Sequence, residues 1–164
     1  MDIKGRENIK NVVIDMSSTF KKFAVKLFPN ATITVDKFHV IKLFNHTLKG
    51  IRVETMKNPI FKKSRTSPMR RLYLTRRENL NFSQKSIVDH INYMFKELEE
   101  IYEFKERLLA IYNIRGKKRA DKAYTKLTDD MAHSGRKQVQ SLRKTLMKWR
   151  KEILNYFRIC CCSS

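Results

Sequence analysis

Three residues near the N-terminus have the types and spacing to do chemistry. Asp15 closes the apolar run of "NVVID", Asp36 closes "ATITVD", and His39 follows three residues later in "DKFH". Carboxylates are hard oxygen donors, and two of them held side by side can share divalent cations such as Mg2+. Paired metal ions stabilise both the attacking and the leaving oxygen of a phosphodiester reaction. The spacing leaves a second reading open, because Asp also ends strands simply as a turn former or helix cap. A single histidine is more often a satisfied structural residue than a ligand.

The surrounding elements decide whether these residues meet. Residues 11–15 and 31–36 are short, β-branched and apolar, which predicts two buried strands. Between them "SSTFKKFAVKLF" sets Phe20, Phe23, Ala24, Leu27 and Phe28 at helical spacing, with Ser17 or Ser18 to cap the start and "PN" to end it. Strand, helix and strand joined by short links make a βαβ crossover, so the strands should run parallel as neighbours. Both aspartates then lie at C-terminal strand ends, the edge where open α/β sheets bind ligands. One such unit is too small for a stable sheet by itself.

From residue 38 to about 56 the apolar period changes to 3.6, and "KNPIFKKSRTSPMRR" then reads as a boundary. Everything beyond it is predicted helical. Residues 83–113 form one long apolar stripe, residues 120–131 a shorter helix, and "RGKK" and "HSG" are breaks. In the last helix, 136–157, Val139, Leu142, Leu146, Trp149, Ile153 and Tyr156 alternate steps of three and four, a seam expected to pack on the helix at 83–113.

Charge narrows the class of partner. Thirty-six Lys and Arg against 16 Asp and Glu give a net charge of +20, so a polyanion is the expected partner, with nucleic acid ahead of an anionic membrane surface. Arg136, Lys137, Arg143, Lys144, Lys148, Arg150 and Lys151, off the seam of the last helix, are the candidate DNA contacts. No apolar run approaches the roughly 18 residues of a membrane span, and no signal-peptide core is present, which points to a cytoplasmic, nucleoid-associated protein with no membrane partner. Cys160, Cys161 and Cys162 are adjacent, which suits neither a disulfide framework nor a zinc site, so residues 158–164 read as an unstructured Cys/Ser tail.

"VVIDMSSTFKKFAVKLFPNATITVDKFHVIKLFNHTLKGIR" resembles the central block of bacterial insertion-sequence transposases of the ISL-three family, and "LYLTRRENLNFSQK" and "LRKTLMKWRKEILNYF" resemble later blocks. The resemblance implies a ribonuclease H-like core in which two Asp and one Glu hold Mg2+ or Mn2+ for DNA strand cleavage and transfer. It assigns Asp15 as the second catalytic acid and a metal ligand, Asp36 as the less favoured alternative, and His39 as a supporting residue. The family's first Asp and its final Glu have no counterpart within residues 1–164, and "NYFRICCCSS" stands where an "N-G-x-x-E-G" context should follow.

The fold class expected is therefore α/β with mostly helical content. A βαβ remnant of the core occupies residues 1–58 and a helical insertion residues 59–157. The chain is expected to be a truncated transposase, inactive and metal-free by itself, with DNA and an intact transposase subunit as partners. The alternative is a non-enzymatic basic helical protein that binds nucleic acid or regulates an intact transposase.

Overall fold

The computed structural model describes residues 5–55 and 67–159. Two strands, β1 (Asn11–Ile14) and β2 (Thr32–Val35), pair in parallel with Ile14 opposite Val35, and α1 (Ser18–Leu27) makes the crossover between them. Backbone bonds from Thr32 N to Lys10 O and from Asp36 N to Ile14 O extend the ladder past both ends. The predicted βαβ unit is present. Seven more helices follow: α2 (Lys37–Thr55), α3 (Ser67–Leu74), α4 (Phe82–Met94), α5 (Lys96–Ile111), α6 (Lys117–Ala132), α7 (Lys137–Lys148) and α8 (Arg150–Ile159). The described residues are thus mostly helical around one small parallel sheet. Of the boundary segment 57–71, residues 57–66 lie outside the described residues and 67–71 belong to α3 instead of a linker; the cysteines of the tail also lie outside, and α8 extends through Ile159.

One contiguous core runs through both halves of the chain. Val40, Phe44, Leu48 and Ile51 of α2 join Leu98, Ile101 and Leu108 of α5, Tyr124 and Leu127 of α6, and Val139, Leu142 and Leu146 of α7. The spacing of the α2 residues is the i, i+4, i+8 pattern of one apolar helix face, which α5 and α7 cover.

Two expectations need correction. The stripe over 83–113 is two helices, interrupted at Phe95, whose φ of −131° and ψ of 90° leave the helical region. The last helix is interrupted at Trp149 (φ −102°, ψ 9°), and its main neighbours are α2, α6 and β2 instead of the helix at 83–113. The break lets α8 leave the line of α7 and lie along β2. The aromatic face of α1 is not part of the core. Only Ala24 is buried, whereas Phe20 and Phe23 are 57% and 58% exposed. A two-stranded sheet offers too little surface to cover that face.

Asn155 of α8 fastens the helices to the sheet. Its side-chain amide donates to Ile33 O at 2.9 Å, and its carbonyl oxygen accepts from Lys117 Nζ at 3.2 Å. Asn155 is 6% exposed, so Asn155→Ala would strand a buried strand carbonyl. We expect a loss of about 1–3 kcal/mol, readable as a lower urea midpoint with an unchanged slope.

Candidate nucleic-acid and metal site at the strand ends

Parallel pairing sets Asp15 and Asp36 side by side, one residue beyond the last register pair of Ile14 and Val35. Each carboxylate is engaged by the backbone that follows it. Asp15 Oδ1 accepts from Ser17 N at 3.0 Å, an Asx turn that leads into α1, where Ser17 Oγ in turn accepts from Phe20 N at 3.4 Å. Asp36 Oδ1 accepts from Phe38 N at 2.9 Å at the start of α2. The sequence folds this way because each Asp offers an acceptor to N–H groups that a helix start leaves unpaired.

His39 stands one turn into α2. Its Nδ1 is 3.7 Å from Asp36 Oδ2, beyond hydrogen-bonding range, and that nitrogen is buried without a hydrogen-bond partner. The strand register therefore sets Asp15 beside Asp36, and His39 stands near Asp36. The cap geometry satisfies one oxygen of each carboxylate and leaves Asp36 Oδ2 turned toward the imidazole. These oxygen donors are of the kind that Mg2+ or Mn2+ takes, yet among the described residues no group of three or more His, Cys, Asp or Glu is arranged to hold a metal ion.

The seven basic candidates divide into two kinds. Arg143 Nε donates to Thr128 O at 2.7 Å, Arg150 pairs with Asp121 and Thr125 at 2.5 and 2.7 Å, and Arg136 pairs with Glu97 at 3.2 Å. Those arginines join α7 and α8 to α6 and α5. Lys148 Nζ reaches Ser18 Oγ at 3.2 Å and ties the end of α7 to the start of α1. Lys137 and Lys144 are exposed and, seven apart, share one side of α7, while Lys151 is exposed beyond the break, on α8.

Sequence reasoning missed a second row. Lys118, Arg119, Lys122 and Lys126 of α6 are all exposed. Their i, i+4 spacing was the available signal, obscured because "RGKK" read only as a break. Nearby, Lys117 is held below the usual ammonium range, first by desolvation and then by the charge of Arg158. The acidic residues gather elsewhere, with Glu97, Glu99, Glu100, Glu103 and Glu106 all on α5.

Among the described residues no helix is long and apolar enough to cross a membrane. No curated protein and no solved structure matches the chain significantly. A family model described as transposase, that of the DDE transposases of the ISL-three family, matches residues 1–163. With the match spanning nearly every residue, the chain belongs to the ISL-three family of DDE transposases.

Proposed function

We propose that this chain contributes the middle of a ribonuclease H-like transposase core, binds DNA through its basic helices, and does not cleave DNA by itself. The observation that carries the proposal is the register of β1 and β2, which sets Asp15 beside Asp36 at the C-terminal edge of the sheet. In the proposal Asp15 is the catalytic acid and metal ligand, Asp36 the alternative, and His39 the group that orients Asp36. Bound Mg2+ or Mn2+ would supply charge stabilisation at the reacting phosphate. Two carboxylates do not complete a set of three, so cleavage requires acids from outside the described residues. The setting would be the nucleoid in the cytoplasm.

DNA binding is tested by salt titration of the purified chain on a labelled duplex. We expect log K to fall linearly with log salt, with a slope near −0.9 for each phosphate contact. The combined change of Lys137, Lys144 and Lys151 to Gln should flatten that slope by about 2 to 3. Affinity indifferent to salt would contradict the proposal.

A second reading, regulation of an intact transposase by a non-catalytic chain, is favoured by one observation. Val13 of β1 and Phe20 and Phe23 of α1 are 62%, 57% and 58% exposed, an apolar surface suited to a protein partner. Co-purification with an intact transposase, lost in Phe20→Ser/Phe23→Ser, would support this reading. A monomer indifferent to that partner would exclude it.

A further inference from the structure

α4 and α5 pack on each other across the break at Phe95, and a cavity of about 470 Å3 lies between them. Its walls include Asp89 and Tyr93 from α4 and Glu99, Tyr102, Glu103 and Glu106 from α5. The volume lies within the roughly 300–1,000 Å3 span of small-molecule sites. Four carboxylates line it against one guanidinium, that of Arg77, which makes a negative recess on a chain of net charge +20. Such a chain repels cations as a whole, so a cation held here is held by the recess itself.

The cations already present leave part of that charge unused. Arg77 occupies both oxygens of Asp89, Lys96 pairs with Glu99 at 2.7 Å, and Lys105 pairs with Glu106 at 3.0 Å. Glu103 is exposed, and its charge acts on Lys96 only at a distance. A second, independent feature points to a ligand. Tyr102 lines the cavity and is 2% exposed, and its Oη is buried with no hydrogen-bond partner among the described residues. A buried hydroxyl is seldom left so, and a donor arriving in the cavity would satisfy it. Tyr93 is 77% exposed and already draws Lys96 Nζ to 5.9 Å from its ring centre, the contact that an aromatic face makes with a cation.

The donor set selects the kind of cation. Among the described residues no three His, Cys, Asp or Glu are arranged to hold a metal ion. A guanidinium favours a coplanar pair of oxygens, and the pair on Asp89 is taken by Arg77. A primary ammonium brings three donors that can go to separate acceptors, here Glu99, Glu103 and Tyr102 Oη. We propose that the α4–α5 cavity binds an alkylammonium group, as carried by a linear polyamine or by a lysine side chain. Its methylene chain lies along the Tyr93 ring, and the bound amine braces the two helices across the Phe95 break.

Titration calorimetry of the full chain tests this, with putrescine as the polyamine probe and acetyl-lysine methylamide as the side-chain probe. The expected result is a saturable one-site isotherm for at least one of them, with a raised urea midpoint at saturating amine. Glu99→Gln/Glu103→Gln should weaken binding on the order of tenfold. Tyr102→Phe should weaken it severalfold without loss of stability, because only the unpaired hydroxyl is removed. Glu97→Gln/Glu100→Gln, on the same helix but outside the cavity lining, should bind as the unsubstituted chain does. Saturation by putrescine alone identifies a free polyamine as the ligand, and saturation by acetyl-lysine methylamide identifies the lysine of a partner protein. Heat from neither amine, or an affinity unchanged in Glu99→Gln/Glu103→Gln, would overturn the site.

Discussion

Between about pH 10 and pH 12 the protein is expected to unfold cooperatively. Tyr73, Tyr102, Tyr112 and Tyr124 are at most 9% exposed, and burial is the largest cause raising each phenol above its usual value. Tyr102 is pushed up to about 12, with the charge of Glu106 adding to its desolvation, and the other three lie higher. The folded state therefore disfavours phenolate. The stabilisation is complete below the unfolded value near 10 and is lost as pH rises from there through the folded values. Each phenol removes about 1.4 kcal/mol per pH unit across that window. Four together remove about 11 kcal/mol over two units, comparable with a total stability of about 5–15 kcal/mol.

Two effects oppose this. Lys105 is held low by burial, so its own contribution improves with rising pH, and neutralised surface lysines repel less. One buried lysine does not balance four phenols, and surface repulsion is screened. Tyrosinate absorbance and far-ultraviolet circular dichroism, followed against pH, should change together for these four residues. Four phenols ionising with the helical signal intact would contradict the account.

The largest single-site effect is expected at Lys105, a lysine 1% exposed on the buried face of α5. Its Nζ donates to Tyr73 O at 2.7 Å and Thr75 O at 3.1 Å, pairs with Glu106 Oε1 at 3.0 Å, and lies 4.4 Å from the Tyr102 ring centre. It thereby satisfies carbonyls at the end of α3, while Glu106 Oε2 accepts from Arg77 N at 3.2 Å. Arg77 in turn forms a two-bond pair with Asp89 at 2.6 and 2.8 Å.

Lys105→Ala would leave two carbonyls and a half-buried carboxylate without their cation and open a cavity. We expect a loss of about 3–5 kcal/mol. Lys105→Met keeps the aliphatic stem and should recover about 1–2 kcal/mol of it. Urea unfolding of both variants checks the order, and equal stability of Lys105→Ala and the unsubstituted chain would refute it. The block "LYLTRRENLNFSQK" owes much of its pattern to this network. Tyr73 donates to Asn92 Oδ1 at 2.7 Å, and Asn81 and Gln84 form a reciprocal cap at the start of α4.

The βαβ unit was legible because strand, helix and strand differ in period and are separated by strong punctuation at Ser17 and Pro29–Asn30. The juxtaposition of Asp15 and Asp36 followed from that topology alone. What the residue pattern concealed has physical causes. Phe95 breaks a helix while keeping an apolar side chain on the same stripe, so the period continues across the interruption. The acidic start of α5, Glu97 and Glu99, was the signal for a new N-terminus. Lys105 lies on the apolar stripe, four residues after Ile101 and three before Leu108, and a lysine in that place marks a buried cation.

The exposed face of α1 was unreadable because helical spacing states which residues share a side and not what covers it. The arginines of α7 and α8 divided from the lysines for a similar reason. Planar guanidinium groups suit fixed pairs with carboxylates and carbonyls, while Lys137, Lys144 and Lys151 stay exposed.

The central claim is that these residues belong to a transposase core that lacks, within the described chain, a complete acid set. The most direct test incubates the purified full chain with supercoiled plasmid in Mg2+ and separately in Mn2+, beside Asp15→Asn. That variant keeps the oxygen accepting from Ser17 N and should fold normally. The account predicts binding without nicking, identical for both proteins. Reproducible metal-dependent nicking by the unsubstituted chain, abolished in Asp15→Asn, would contradict it.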